Sequence, residues 1–318
     1  SLYYDKITER INELKLILLI SDQDIHKEQS FEDDFRASFF DLNKKLYGEL
    51  SQEIFNEVLS ELVVRMNKVL LKRPELDQQV NNFISTYCHN STKAVSYPHV
   101  QFINDKLDKE MTHFKDAQAI KNYFETALID ENLADEWKVV IDKHDKRKTI
   151  SVGYDSKRII VPNDSHYDSN HKKFALSSTV IQKLRVHEIS THARRKHNGS
   201  KTSLKLLGLG LAKSRQAEEG VATYREQELV AENNFFAGYL SYFAIGMVNG
   251  LDNTEKKRSF RELFIILKKL FLILHKNKDG IATQLAWDRC VRIFRGTPGN
   301  VSGLVLTKDS IYRAGNIK

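Results

Sequence analysis

Cysteine is nearly absent: Cys88 and Cys290 are the only two in 318 residues, and neither belongs to a C-x-x-C pair. That arithmetic excludes a structural zinc knuckle and a disulfide framework. A reducing cytosol is the simplest compartment for a chain that needs no oxidation, so a cytoplasmic location is expected. Proline (4) and glycine (14) are also scarce, which excludes collagen-like and turn-repeat architectures and favours long helices over many short strands. Long apolar runs are missing too. Leu14 to Ile20 is too short and interrupted for a signal or a span. Phe235 to Val248 is only about two-thirds of a membrane crossing, and Lys268-Lys269 break Leu263 to Leu274. The last two segments read as buried core helices, and no membrane partner is expected. Aromatic residues do not interleave with basic ones in the way that stacks bases, so nucleic acid is not an expected partner either.

What the chain does have is an uneven charge. The net charge is +7, yet residues 1–130 carry 16 Lys+Arg against 22 Asp+Glu, while residues 131–318 carry 33 against 20. A solvated basic surface accounts for this, and so does attraction of an acidic partner by the later part.

The first 130 residues read as a helical region. Ile7, Ile11, Leu14 and Leu18 follow the helical period, as do Ile54, Val58, Leu62 and Val69. Pro74 suits a helix start or stop, and Tyr97-Pro98 marks a break. The texture changes near residue 135. Trp137 to Ile141, Thr149 to Gly153 and Arg158 to Val161 are short and β-branched, separated by the polar clusters Asp142 to Lys148 and Tyr154 to Lys157. The expectation is a three-stranded antiparallel meander closed by Pro162-Asn163-Asp164, with Arg158 to Val161 as an edge able to hold an extended peptide. Helical texture resumes at Ser177 or Ser178, plausible N-caps, and runs to about residue 294. The expected fold class is therefore α+β and predominantly α-helical. Residues 1–130 are expected to form an N-terminal helical region and residues 131–318 a zincin-like catalytic domain with a small antiparallel sheet, the alternative being one continuous domain.

The segment with chemistry in it is Val186-His187-Glu188-Ile189-Ser190-Thr191-His192. It lies late in a helix whose apolar face includes Val180, Ile181 and Leu184. Two histidines on one helix with a glutamate beside the first are a zinc-peptidase pattern, but the usual spacing there is four and here it is five. At roughly 100° per residue, five steps set the imidazoles about 140° apart, too far for one ion on a regular α-helix. Either the helix ends near Ser190-Thr191, or it takes up an extra residue as a π-bulge. His192 and His197 form a rival pair at the same spacing. Gln216 to Arg225 offers Glu218 and Glu219 as third ligands, and because adjacent residues diverge, only one of them faces the ion. Three protein ligands and one open position suit hydrolysis by one Zn2+ ion. Glu188 would then take a proton from the zinc-bound water.

Taken together, His187-Glu188-Ile189-Ser190-Thr191-His192, Asn198-Gly199, Leu206 to Leu211 and Glu218-Glu219-Gly220-Val221-Ala222 resemble the metallopeptidase family named for its QEGLA motif. Its members are also described as flavohaemoglobin expression-modulating proteins, and its animal relatives include the microtubule-associated tyrosine carboxypeptidases. Cys290 to Gly296 and Thr307 to Gly315 resemble that family's R-x-x-R-G and T-K-D-x-x-Y-x-x-G segments, so the likeness spans about residues 135–315. The resemblance implies zinc held by His187, His192 and Glu219, the last chosen over Glu218, with Glu188 as the catalytic glutamate. Three positions depart from the family pattern: Ser190 stands where Gly is usual, Glu218 where Gln is, and Val221 where Leu is. The resemblance further implies a carboxypeptidase acting on a C-terminal tyrosine or other aromatic residue of an acidic peptide or protein tail. Such an enzyme needs a cation for the terminal carboxylate, for which Arg292, Arg295 and Lys308 are candidates, and Tyr312 is a candidate oxyanion donor. The alternatives are a zinc endopeptidase or amidase, and a non-catalytic basic regulatory or binding protein.

Overall fold

A computed structural model describes residues 1–21, 29–88, 114, 116–142, 150–153, 155–164, 178–229, 238–252, 254–275 and 278–316. Of the sequence expectations, Tyr97-Pro98, the cluster after Asp142, Thr149, Tyr154, Ser177 and Phe235 lie outside the described residues. The chain forms two compact units. One joins residues 1–98 to 235–318, and the other is residues 99–234. This division differs from a boundary at residue 130, because the first helices find their core partners at the far end of the chain.

The first unit opens with α1 (Leu2–Ser21), α2 (Gln29–Tyr47), α3 (Gln52–Leu70) and, after a 3-10 turn that Pro74 begins, α4 (Asp77–Tyr87). Ser51 starts α3 by accepting a hydrogen bond from the Ile54 amide at 3.2 Å. Phe55, Val58, Leu59, Leu62 and Met66 then line its fully buried face. The helical period of α1 is real, but its apolar stripe is not the packed one. Ile7, Ile11, Leu14 and Leu18 are exposed, and Leu16 joins Phe35, Phe39 and Leu42 of α2 in a small cluster.

The second unit begins with α5 (Ala117–Asp130), which Asp116 caps through the Ala119 amide at 2.6 Å. Strands β1 (Lys138–Ile141), β2 (Ser151–Gly153) and β3 (Arg158–Val161) follow. The sheet is mixed, not an antiparallel meander. The order is β1-β3-β2, with β1 parallel and β2 antiparallel to β3. Arg158–Val161 is thus the central strand and not an edge. Alternation of side chains cannot tell the two pairings apart, and the burial of Ile159 and Val161 suits the middle position. Asp164, expected only to close a turn, accepts the Ala117 amide at 2.7 Å and ties the strand exit to α5.

One helical rod then runs from residue 178 to 201: α6 (Ser178–Leu184), a π-helical stretch (Arg185–Ala193) and α7 (Arg194–Lys201). Ile181, Ile189 and Ala193 pack into the core of this unit with Phe124, Trp137 and Ile159, and Leu184 lies against it, whereas Val180 is exposed. The short α8 (Leu206–Leu209) and α9 (Arg215–Glu228) complete the unit.

The chain returns to the first unit with α10 (Tyr239–Asn249), α11 (Phe260–Leu274), α12 (Asp279–Phe294) and α13 (Ser310–Asn316). Where they are described, the two apolar segments read as core helices are so. Tyr242 to Val248 and much of Leu263 to Ile273 are buried against α3 and α4 in the largest core cluster. Among the described residues no helix is long and apolar enough to cross a membrane.

Candidate metal centre

Five-residue spacing brings His187 and His192 together because the rod is π-helical there. Hydrogen bonds in a π-turn run from i+5 to i, so residues five apart share a face. The ring centroids lie 4.9 Å apart. Two side chains support the irregular turn. Thr191 Oγ1 donates to the Val186 carbonyl, five residues back, at 2.8 Å, and Arg225 of α9 donates to the Ser190 carbonyl at 2.6 Å. Ser190 itself, standing where a glycine was expected, donates its hydroxyl to Glu131 at 2.6 Å. The rival pair does not form: His197 lies on α7 beside Glu136, at 3.1 Å.

Helix α9 supplies the carboxylates. Glu219 Oε2 sits 3.3 Å from His187 Nε2 and 3.6 Å from His192 Nε2, a buried oxygen without hydrogen-bond geometry to either. The other nitrogen of each ring is held from behind. His187 Nδ1 lies 2.5 Å from Glu226, and His192 Nδ1 lies 2.7 Å from Glu218, which also accepts from Arg195 Nε at 2.6 Å. Glu188 completes the group: His187, Glu188 and His192 offer ligand atoms that all lie within 4.8 Å of one another. Glu218 and Glu219 diverge as adjacent helical residues must, one behind a ring and the other before both. The backing role of Glu226 was not read from the sequence. The available signal was its position seven residues after Glu219, two turns along the same face of α9.

The electrostatics describe a site made for positive charge. Burial opposes the charge on His187, but Glu219 and Glu226 outweigh it and lift its pKa to about 10. Burial likewise opposes His192, which Glu218 and Glu219 raise to about 9. Glu219 is buried as well, yet the two imidazoles facing it hold it at about 2. Without a cation, protons on the rings balance the carboxylates. Two imidazole nitrogens and one orphaned carboxylate oxygen, converging with carboxylates behind both rings, are the donor set of a divalent transition-metal site. The residues present therefore fit zinc.

The glycines of the Asn198-Gly199 and Leu206 to Leu211 segments have a packing reason. A Cβ on Gly199 would stand 2.4 Å from the Leu207 carbonyl carbon, so α7 and α8 meet backbone to backbone. Arg195 Nη1 donates to the Leu207 carbonyl at 2.7 Å, linking that junction to the Glu218 that backs His192.

A family model described as microtubule-associated tyrosine carboxypeptidase matches residues 99–318, well over half of the chain. The chain belongs to the microtubule-associated tyrosine carboxypeptidase family. No curated protein and no solved structure gave a match. The family is by its description one of carboxypeptidases, which places the chain among the peptidases. The region shared with the tyrosine carboxypeptidases contains every candidate residue, but the candidates divide between the two compact units. His187, Glu188, His192 and Glu219 belong to the second unit, and Arg292, Arg295, Lys308 and Tyr312 to the first. Arg292 and Arg295 converge on one carboxylate, Asp309, at 2.5 and 3.2 Å. Lys308 lies in the 3-10 turn just before α13, and Tyr312 bonds to Arg292.

Proposed function

We propose that the chain is a zinc-dependent metallocarboxypeptidase that removes a C-terminal residue, tyrosine or another aromatic, from an acidic peptide or protein tail. The observation that carries this reading is the convergence of both Nε2 atoms on Glu219 Oε2, with each Nδ1 backed by a carboxylate. His187, His192 and Glu219 would hold the ion, leaving one position open. When bound, zinc supplies Lewis-acid polarisation of the scissile carbonyl and brings the pKa of water at its open position toward neutrality. Glu188, adjacent to the first ligand, accepts the proton of the attacking water and delivers it to the leaving amine. Tyr312 serves as a donor to the developing oxyanion. Arg292, Arg295 and Lys308 supply the positive field for the tail's terminal carboxylate, and the basic balance of residues 131–318 favours an acidic tail.

The test pairs metal analysis with C-terminal mass spectrometry on acidic peptides ending in tyrosine. Glu188→Gln should keep its metal and lose roughly 10²–10⁴-fold in rate, while His187→Ala should lose the metal. A Glu188→Gln protein that cleaves as fast as the parent rules out the base assignment. Cleavage that persists on C-terminally amidated peptides replaces the carboxypeptidase with an endopeptidase or amidase.

A further inference from the structure

The π-helical stretch has fixed points outside the metal centre. Its first residue, Arg185, and the residue just past its end, Arg194, both reach the last turn of α5. Arg185 Nη2 donates to Asp130 Oδ2 at 2.8 Å, and its guanidinium carbon lies 5.8 Å from the centroid of the Tyr123 ring, two turns back along α5. Arg194 Nη1 donates to Glu131 Oε2 at 2.7 Å, and Glu131 Oε1 accepts the Ser190 hydroxyl at 2.6 Å. Two adjacent carboxylates thus hold three residues of the rod: one at the start of the π stretch, one inside it and one beyond it.

These contacts depend on the helix type. At roughly 100° per residue, nine steps put Arg185 and Arg194 on opposite faces of an α-helix, and five steps put Arg185 and Ser190 about 140° apart. With hydrogen bonds reaching five residues back, nine residues make about two turns, and the three side chains come round to α5 together. His187 and His192 obey the same arithmetic on their own face. The grip of α5 and the convergence of the imidazoles therefore require one and the same irregular turn. The carboxylates also stand where helices disfavour them. Asp130 ends α5 and Glu131 caps it, at the negative end of the helix dipole. Asp130 and Arg194 are about half exposed, and ion pairs of that kind add little stability. Glu131 is the firmer anchor, only 13% exposed and accepting two donors. What the pair supplies is a choice between two forms of the same rod.

We propose that Asp130 and Glu131 are positioning residues for the metal site: through Arg185, Ser190 and Arg194 they hold the rod in its π form, so that His187 and His192 face one ion before it arrives. The inference rests on the metal-centre reading above and deepens it. An ion that binds only this form binds with an affinity reduced by the fraction of chains that adopt it. Loosening the clamp thus weakens metal binding without touching a ligand.

The experiment uses the full chain and two readouts. The first is zinc affinity, by competition with a chromophoric chelator. Asp130→Ala/Glu131→Ala should weaken it about 10–100-fold. Arg185→Ala/Arg194→Ala removes the same contacts from the rod and should weaken it likewise; it carries the test if the first variant does not melt like its parent. Exchanging the charges, Glu131→Arg/Arg194→Glu, should recover most of what Glu131→Arg alone loses, which a merely structural role for either residue would not do.

The second readout needs no metal. His187→Cys/His192→Cys places two thiols five residues apart. Along an α-helix five residues rise about 7.5 Å, beyond the roughly 7 Å that a disulfide can span, so only the π form cross-links. Cys88 and Cys290 are buried, with thiols pushed up to about 12, and stay out of the reaction. Adding Asp130→Ala/Glu131→Ala should slow cross-linking by the same factor as it weakens zinc. Zinc affinity or cross-linking that ignores the clamp overturns the proposal. A parent that binds no zinc, yet cross-links quickly only with the clamp intact, keeps the clamp and loses the metal-centre reading. A parent that takes up zinc regardless of the clamp does the reverse.

Discussion

His187 and His192 both turn Nε2 toward Glu219 and are held at Nδ1 from behind, by Glu226 and Glu218 respectively. The rear carboxylates set the tautomer, since a ring nitrogen that donates to a carboxylate leaves the other free to bind metal. Glu226→Gln should therefore weaken zinc binding about 10–100-fold, read by competition with a chromophoric chelator; unchanged affinity would show that Glu226 does not position His187. In the metal-free protein the same contacts make stability depend on pH. The folded-state values of about 10 and about 9 for the imidazoles lie above the ordinary 6.5. Their contribution is complete below pH 6.5 and is lost as pH rises through 9 and 10. Glu219, held at about 2 against an ordinary 4.5, contributes fully above pH 4.5 and loses that contribution as pH falls through 2. Urea midpoints of chelator-treated protein should decline between pH 6 and pH 10, and a flat profile would mean that the rings are not protonated there. The three front residues and Glu188 were legible as a sequence pattern, with Glu219 separated from Glu218 only by the family resemblance. Glu226 was not, because a lone glutamate seven residues along a charged helix looks like any solvated one.

At the scale of elements, the spacing of the two histidines demanded an irregular helix, and the rod from residue 178 to 201 supplies it over Arg185–Ala193. That much followed from angles alone. The Gly199 contact is of the same kind but was not deducible, because its reason is a backbone 8 positions away, at Leu207. Gly199→Ala should cost about 1–3 kcal/mol by overpacking the α7–α8 junction, measured as a shift in the denaturant midpoint, and a neutral outcome would show that the junction yields easily. The sheet was legible as three short strands but not in its order. Val139, Val152 and Ile159 meet across neighbouring strands in either arrangement, and only burial of Ile159 and Val161 makes β3 central. For α1, periodic Ile7, Ile11, Leu14 and Leu18 correctly mark a helix, yet periodicity says nothing about which face finds a partner.

For the whole molecule, the family match begins at residue 99, but the first compact unit takes in residues 1–98 as well as 235–318. Phe55, Val58, Leu59 and Leu62 share a core with Phe243, Leu263, Leu267 and Ile293. A fragment comprising residues 99–318 would expose the second half of that core, so it should aggregate or lack cooperative melting, whereas the full chain melts cooperatively. Circular dichroism and light scattering on the two proteins decide it, and a well-folded fragment would mean that α10 to α13 stand without α3 and α4. This pairing of chain ends was invisible in the sequence. Composition and periodicity are local, whereas the contact that closes the unit joins residues almost 190 apart, as between Phe55 and Phe243.

The discontinuous first unit also puts a delay into biosynthesis. Its opening helices leave the ribosome while residues 99–234 are still to be translated, an interval of roughly 7 to 27 s at common elongation rates. For that time Phe55, Leu59 and Leu62 have no permanent cover, and a nascent chain in that state is a client for chaperones that shield apolar helices until translation delivers the rest.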